Sequence, residues 1–112
     1  MLIRQMNINV EKQGKGNSVI LLHGWGQSTK AMSIINNHLC SSFTVYNIDL
    51  PGFGLSDKPI SPFSTLDYAN ILKDIIDYYS INNPIIIGHS FGGRVAIKYT
   101  SLYDNVDKLI LI

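Results

Sequence analysis

Four short, largely apolar runs most constrain the fold of this chain. They cover residues 19–22, 43–48, 85–87 and 108–112, and helical patterns and glycine-containing loops separate them. Runs that are apolar on both faces are typical of strands covered from two sides, whereas a strand with one wet face alternates apolar and polar side chains. Buried strands that alternate with helices predict an α/β fold: a mostly parallel sheet with helices on both faces, joined by right-handed crossovers.

The remaining segments predict one edge strand and three helices. Residues 6–12 alternate apolar and polar side chains, which indicates an edge strand. Ser28 or Thr29 is suited to cap a short helix. Ser64 and Asp67 have the spacing of a capping box, which predicts the start of a second helix. For the third helix, beginning near Arg94, we predict that Val95, Tyr99 and Leu102 point inward.

Composition and charge favour a small-molecule partner. The 112 residues carry a formal net charge of +1, which gives no electrostatic reason to expect nucleic acid or an anionic membrane as partner. Hydrophobic residues make up 46% and charged residues 15%, an interior-rich composition for so short a chain. The single cysteine excludes an intramolecular disulfide, and no apolar run approaches the roughly 20 residues that span a bilayer. Because the first residues also lack the apolar stretch of a signal peptide, we expect a cytoplasmic location.

The sharpest motif follows the third apolar run, where residues 88–93 read GHSFGG. A serine with glycine two residues away on either side, between a strand and a helix, is typical of a nucleophile elbow. In so tight a turn, side chains at Gly88 and Gly92 would collide, and the backbone strain lifts the Ser90 hydroxyl clear of the sheet. We predict that Ser90 is a nucleophile rather than a serine in an ordinary turn.

The same glycines allow a second interpretation, nucleotide binding. Gly88 and Gly93 have the spacing of a P-loop, but Arg94 and Val95 follow where that motif needs lysine and then serine or threonine. No glycines fit the G-x-G-x-x-G pattern either. We therefore predict no cofactor and no metal.

Three loops that follow apolar runs carry a family resemblance. They read HGWG at residues 23–26, DLPGFGLSD at residues 49–57 and GHSFGG at residues 88–93. In this order they resemble the amino-terminal part of the α/β-hydrolase fold, in the branch of small esterases, carbon-carbon bond hydrolases and non-metal haloperoxidases. The resemblance covers essentially the whole chain. It implies that residues 1–112 are the amino-terminal part of a single α/β-hydrolase domain, truncated in the strand after the nucleophile helix.

The resemblance also implies an oxyanion hole. The backbone N–H groups of Phe91, directly after the nucleophile, and of Trp25 would stabilise the negative charge that develops on the substrate. A serine at the elbow argues against the haloalkane dehalogenase and epoxide hydrolase branches, which use aspartate there. Glycines at positions 24 and 26 would let the first loop approach closely. The site-shaping residues that we predict around the donors are His23, Gly24, Gly26, Gly88, His89 and Gly92.

None of the three histidines is suited to be the general base. Consecutive side chains leave an extended backbone in opposite directions, so His89 is badly aimed at the neighbouring hydroxyl. We expect His23 to hold the first loop through hydrogen bonds and His38 to be solvated. Asp49 and Asp57 are expected to cap turns. In this family the triad order is serine, acid, histidine, so the acid and the base would follow residue 112.

We therefore expect a serine hydrolase that acts on a small-molecule ester or related acyl substrate through an acyl-serine intermediate. The chain alone is expected to be inactive, because loss of a triad histidine costs orders of magnitude in rate. The alternative is a non-catalytic remnant or interaction fragment, whose last strand would expose an apolar edge.

Overall fold

The computed structural model describes residues 1–112 and contains seven strands and three α-helices. The strands are β1 (Leu2–Ile3), β2 (Met6–Asn7), β3 (Val10–Gln13), β4 (Ser18–Leu22), β5 (Thr44–Ile48), β6 (Ile85–Gly88) and β7 (Lys108–Leu111). The α-helices are α1 (Ser33–Leu39), α2 (Thr65–Tyr78) and α3 (Phe91–Leu102), and a short 3₁₀ helix, Thr29–Met32, leads directly into α1.

The main sheet has five strands in the order β3-β5-β4-β6-β7. Strand β3 pairs antiparallel with β5, whereas β4, β5, β6 and β7 pair in parallel. The register places Ile20 of β4 beside Tyr46 of β5 and Ile86 of β6. The predicted α/β fold with a mostly parallel sheet is confirmed, and it brings the loops after β4, β5 and β6 to one edge.

Helices cover both faces of this sheet, as predicted. Val19 and Leu21 of β4 pack with Met32 on the face that α1 covers. Their neighbours Ile20 and Leu22 point the other way, into the larger core that α2 and α3 cover. Burying a side chain of this size contributes about 1.5–3 kcal/mol, so the two-sided apolar pattern of β4 stabilises both layers.

The predicted edge strand over residues 6–12 is in fact two strands in different sheets. Met6–Asn7 pairs with β1 in a small hairpin, and Val10–Gln13 forms the edge of the main sheet. Asn9 lies between them, where its backbone N–H donates to Ser56 Oγ at 2.9 Å and its side-chain amide donates to Asp49 at 2.9 Å. These two contacts turn the chain from one sheet to the other, so a continuous strand is not possible.

The capping box at the start of α2 is confirmed. The backbone N–H of Asp67 donates to Ser64 Oγ at 3.2 Å, and the backbone N–H of Ser64 donates to the Asp67 carboxylate at 2.8 Å. Such a cap stabilises a helix by about 0.5–2 kcal/mol.

The third helix begins at Phe91, three residues before the predicted start at Arg94. Val95 and Tyr99 are fully buried, as predicted. The prediction for Leu102 was wrong, because its side chain is 46% exposed. Leu102 is the last helical residue, and the chain turns away into an extended conformation at Tyr103.

Strand β7 is an exposed edge with apolar side chains. Ile110 and Leu111 are 41% and 51% exposed, and no strand pairs with the outer side of β7. This agrees with the expectation for the last strand. None of the helices is long and apolar enough to cross a membrane.

Candidate active site

The turn between β6 and α3 holds Ser90 in a strained conformation. Its backbone has φ 54° and ψ −112°, in a region that costs a residue with a side chain about 1–3 kcal/mol. The side chain is exposed, and no group of the chain makes a hydrogen bond to its hydroxyl. The structure thus has the strained turn that the motif predicts, with a free hydroxyl at its tip.

Two glycines make this turn possible. A Cβ atom on Gly88 would lie 2.6 Å from Gly93 Cα, inside another part of the turn. A Cβ atom on Gly92 would lie 2.5 Å from the His23 carbonyl oxygen and closer still to that of Leu22. A side chain at either glycine would therefore collide with neighbouring backbone, as the G-x-S-x-G spacing predicts.

The first loop approaches the elbow through Gly24. A Cβ atom there would lie 2.8 Å from Gln27 Oε1, which accepts the Gly24 N–H, and 3.2 Å from the His89 ring. The expectation of close approach was wrong for Gly26, which has no atom within 4 Å of such a Cβ. Gly26 instead supplies a φ of +74°, a left-handed conformation that glycine adopts without strain.

The backbone N–H groups of Trp25 and Phe91 lack hydrogen-bond partners. The N–H of Trp25 makes no hydrogen bond within the chain. Phe91 is the first residue of α3, where an N–H has no acceptor in its own helix and the helix dipole favours negative charge. The rings of Trp25 and Phe91 contact each other edge to face, with centroids 5.0 Å apart. Both residues thus flank the elbow, and their role as oxyanion donors stays a prediction.

His23 is a buried, fully hydrogen-bonded residue beneath the first loop. Its Nε2 accepts the N–H of Leu50 at 3.0 Å, so the proton is on Nδ1, which donates to the Gly24 carbonyl at 2.7 Å. Burial lowers the pKa of His23 below its ordinary value of 6.5, against smaller opposing effects of the Gly24 carbonyl and Asp49. The predicted hydrogen-bonding role is confirmed, since both ring nitrogens are occupied.

The other two histidines do not contact the Ser90 hydroxyl either. His89 Nδ1 lies 2.9 Å from the Ile112 carbonyl oxygen, which also accepts the backbone N–H of Ser90 at 3.3 Å. The end of β7 therefore supports the elbow through His89. His38 is exposed on α1, as expected. No imidazole of these 112 residues is hydrogen-bonded to Ser90.

Asp49 has a larger role than the turn capping we expected. It is 1% exposed, and its carboxylate accepts the N–H of Thr29 at 2.8 Å, the amide of Asn9 at 2.9 Å and the N–H of Leu55 at 3.0 Å. Asp49 therefore joins the 3₁₀ helix before α1, the edge of the sheet and the second loop. Gly54 lies so close that a Cβ atom there would collide with the carboxylate, and no local sequence pattern indicates this contact.

Sequence analysis missed an aromatic cluster around the site. The Trp25 ring contacts the Phe53 ring at 4.8 Å, and the Phe91 ring contacts the Tyr68 ring at 5.1 Å, all in edge-to-face geometry. Phe53 could have been found in the second loop motif. Tyr68 lies on α2, and nothing in its local pattern indicates the site. No group of three or more His, Cys, Asp or Glu side chains is placed to hold a metal.

Comparison with known proteins agrees with this geometry. The family model of the alpha/beta hydrolase fold matches residues 17–112. The "AB hydrolase superfamily protein YisY" of Bacillus subtilis (strain 168) is 36% identical over 92% of this chain and 40% of its own length. A "Soluble epoxide hydrolase" of Corynebacterium sp. (strain C12) is 35% identical over 84% of this chain and 32% of its own length.

The solved structure of a "Marine microorganism esterase" superposes with a TM-score of 0.89 at 32% identity, over 95% of this chain and 41% of that one. The chain thus spans less than half the length of each of these relatives. The matched region contains the first loop, the second loop and the turn at Ser90, and the chain belongs to the α/β hydrolase fold family.

Proposed function

We propose that the protein is a serine hydrolase that cleaves an ester or related acyl bond of a small molecule through an acyl-Ser90 intermediate. The observation that carries this proposal is the strained, exposed Ser90, whose hydroxyl makes no hydrogen bond within the chain. The unpaired backbone N–H groups of Trp25 and Phe91, two residues whose rings are in contact, support it. The net charge of +1 favours a small molecule over nucleic acid or a membrane surface as partner, and a cytoplasmic location is part of the proposal.

The proposed reaction has two halves. Ser90 Oγ attacks the carbonyl carbon while a base takes its proton, and the two N–H groups stabilise the negative oxygen that forms. The base then returns the proton to the leaving alcohol, and water, activated in the same way, releases the acid. In our proposal the base and its acidic partner come from residues outside this chain, in the family order of serine, acid and histidine.

Serine favours acyl transfer over epoxide opening, although one relative is named an epoxide hydrolase. An aspartate that opens an epoxide forms an ester, whose carbonyl carbon water can attack. Ser90 would form an ether, which has no carbonyl carbon and would block the enzyme. An ester or related acyl compound is therefore the substrate class that a serine at this position supports.

A non-catalytic role is the second candidate for the 112-residue chain by itself. It is favoured by the absence of any imidazole hydrogen-bonded to Ser90 and by the exposed apolar edge of β7. Such an edge is a template for pairing with another strand.

The test measures Ser90-dependent chemistry. The protein encoded by the complete reading frame is incubated with a fluorophosphonate probe and with 4-nitrophenyl acetate, and the variant Ser90→Ala is compared. We expect labelling at Ser90 and a loss of turnover of about 10⁴- to 10⁶-fold in the variant. Ser101→Ala is the matched control, because Ser101 is exposed on α3 and its hydroxyl donates only to the Lys98 carbonyl.

The outcomes separate the two candidates. Full activity in Ser90→Ala would overturn the nucleophile assignment. For the 112-residue chain we expect no turnover above background, and robust Ser90-dependent turnover would refute the non-catalytic alternative.

A further inference from the structure

A pocket of about 490 Å³ opens beside the candidate active site. The loop after β5 and the start of α2 form it, and Trp25 of the first loop closes one side. Its volume lies within the range of about 300–1,000 Å³ that is usual for small-molecule sites. The reaction proposed above does not explain what this pocket would bind.

The wall nearest Ser90 is aromatic. Trp25 and Phe53 line the pocket and contact each other, and Trp25 also contacts Phe91, the residue directly after Ser90. The Trp25 ring therefore lies between a group in this pocket and Phe91, whose backbone N–H we propose to hold the reacting carbonyl. Aromatic rings favour edge-to-face or offset contacts with a further ring.

A second wall of the pocket is apolar and held in place. Tyr68 is buried, and its hydroxyl donates to the Pro51 carbonyl at 3.1 Å, which ties α2 to the loop. Phe63 packs edge to face on Tyr68 at 5.2 Å. Two prolines of this loop, at positions 59 and 62, also line the pocket and restrict its backbone. These contacts hold this wall of the pocket in place.

Most of the pocket lining is uncharged, and its aromatic end carries no charged side chain. Of the 11 lining residues, only Lys58 carries a charge; its side chain is exposed and lies within 4.0 Å of no carboxylate. A polar group moved from water into the aromatic end would lose its hydrogen bonds without replacement. An apolar group gains from the same transfer.

We infer that this pocket binds an aromatic or compact branched apolar group joined to the reacting carbonyl by a short linker, so that the preferred esters carry such a group. That the ligand is an ester rests on the proposed function. The pocket itself is defined by Trp25, Phe53, Phe63 and Tyr68 and is tested by binding alone.

The experiment uses the single tryptophan of the chain, Trp25, which lines the pocket and is 65% exposed. The 112-residue chain is titrated with 4-phenyl-2-butanone, a ketone that cannot be hydrolysed, and with 2-butanone, which lacks the ring. We expect the phenyl ketone to change the Trp25 emission with a dissociation constant at least about tenfold lower than that of 2-butanone, because only its ring buries apolar area. Equal affinities, or no change in emission, would overturn the inference.

Matched variants locate the binding. Phe63→Ala should weaken binding of the phenyl ketone about fivefold or more. Tyr78→Ala, which removes an exposed ring at the end of α2 outside the pocket, should leave it unchanged. Ile60→Ser is a second pocket variant that cannot unfold the chain through lost packing, since Ile60 is fully exposed at the rim, and it should also weaken binding. Unchanged affinity in both pocket variants would contradict the inference.

Ser90→Ala separates this inference from the proposed function. The variant should bind the phenyl ketone like the parent chain, because Ser90 does not line the pocket. Failure of Ser90 labelling with intact ketone binding would overturn the proposed reaction and leave the pocket assignment standing. The reverse result would overturn the pocket assignment alone.

Discussion

Replacement of Gly92 by alanine tests whether steric exclusion is what requires a glycine two residues after Ser90. The natural control is the next residue, Gly93, which lies in the same first turn of α3 and is also buried. A Cβ atom on Gly93 would lie 3.3 Å from Leu111 Cδ2, the end of a flexible and half-exposed side chain that can give way. A Cβ atom on Gly92 would meet the carbonyl oxygens of Leu22 and His23, which belong to the backbone and cannot move aside.

The size of the effect follows from these contacts. A Cβ atom does not approach another heavy atom closer than 3.0 Å, and the His23 oxygen would be at 2.5 Å, so the first turn of α3 must move by at least 0.5 Å. This strains the bond in which the His89 N–H donates to the Leu22 carbonyl at 3.0 Å. Overpacking costs about 1–3 kcal/mol and one lost backbone bond about 1 kcal/mol. Alanine's better helix propensity offsets up to about 1 kcal/mol of this.

We therefore expect Gly92→Ala to lower the free energy of unfolding by about 1–4 kcal/mol and Gly93→Ala to leave it unchanged or raise it by up to about 1 kcal/mol. Urea denaturation at 25 °C, followed by far-ultraviolet circular dichroism, measures both. With a slope near 2 kcal/mol per molar, a loss of 2 kcal/mol lowers the midpoint by about 1 M. Equal midpoints for the two variants would refute the steric explanation.

Three further predictions concern residues that hold the loops and the sheet edge. Because folding lowers the pKa of His23, the imidazole is protonated at a higher pH in the unfolded state than in the folded state. The free energy of unfolding should therefore fall as pH drops below about 6.5, by up to about 1.4 kcal/mol per pH unit. Parallel profiles of urea midpoint against pH for wild type and His23→Gln would contradict this. Asp49→Asn should lower the free energy of unfolding, measured by thermal denaturation, by about 2–4 kcal/mol, since an amide cannot accept all three hydrogen bonds. An unchanged melting temperature would contradict the role of the buried carboxylate as the link between the loops. Ile110→Lys should reduce concentration-dependent light scattering while changing stability by less than about 0.5 kcal/mol, whereas undiminished scattering would mean that the β7 edge does not drive self-association.

The long-range partners of His23 and Asp49 could not be predicted from the sequence. His23 was correctly expected to hold the first loop, but its partner Leu50 is 27 residues away, and the tautomer depends on that contact. Asp49 accepts from Asn9 across 40 residues of sequence. No local pattern encodes such pairs, because strand order decides which loops meet.

The division of the sheet edge into two strands also depends on long-range contacts. Residues 6–12 have the alternation of one strand, yet contacts of Asn9 with Ser56 and Asp49 divide the segment between two sheets. Alternation reports which side chains are buried, and it does not report which partner strand covers them.

The sequence by itself determined the order and type of the main elements, the capping box of α2 and the tight turn at Ser90. Hydrophobic spacing, caps and glycines act within a few residues, so they can be read from the chain. Only the tertiary structure decided the strand order, the antiparallel β3, and the meeting of Trp25, Phe53 and Tyr68 around one pocket. These depend on contacts between residues far apart in the chain, which form only when the parallel strands bring their loops to one edge.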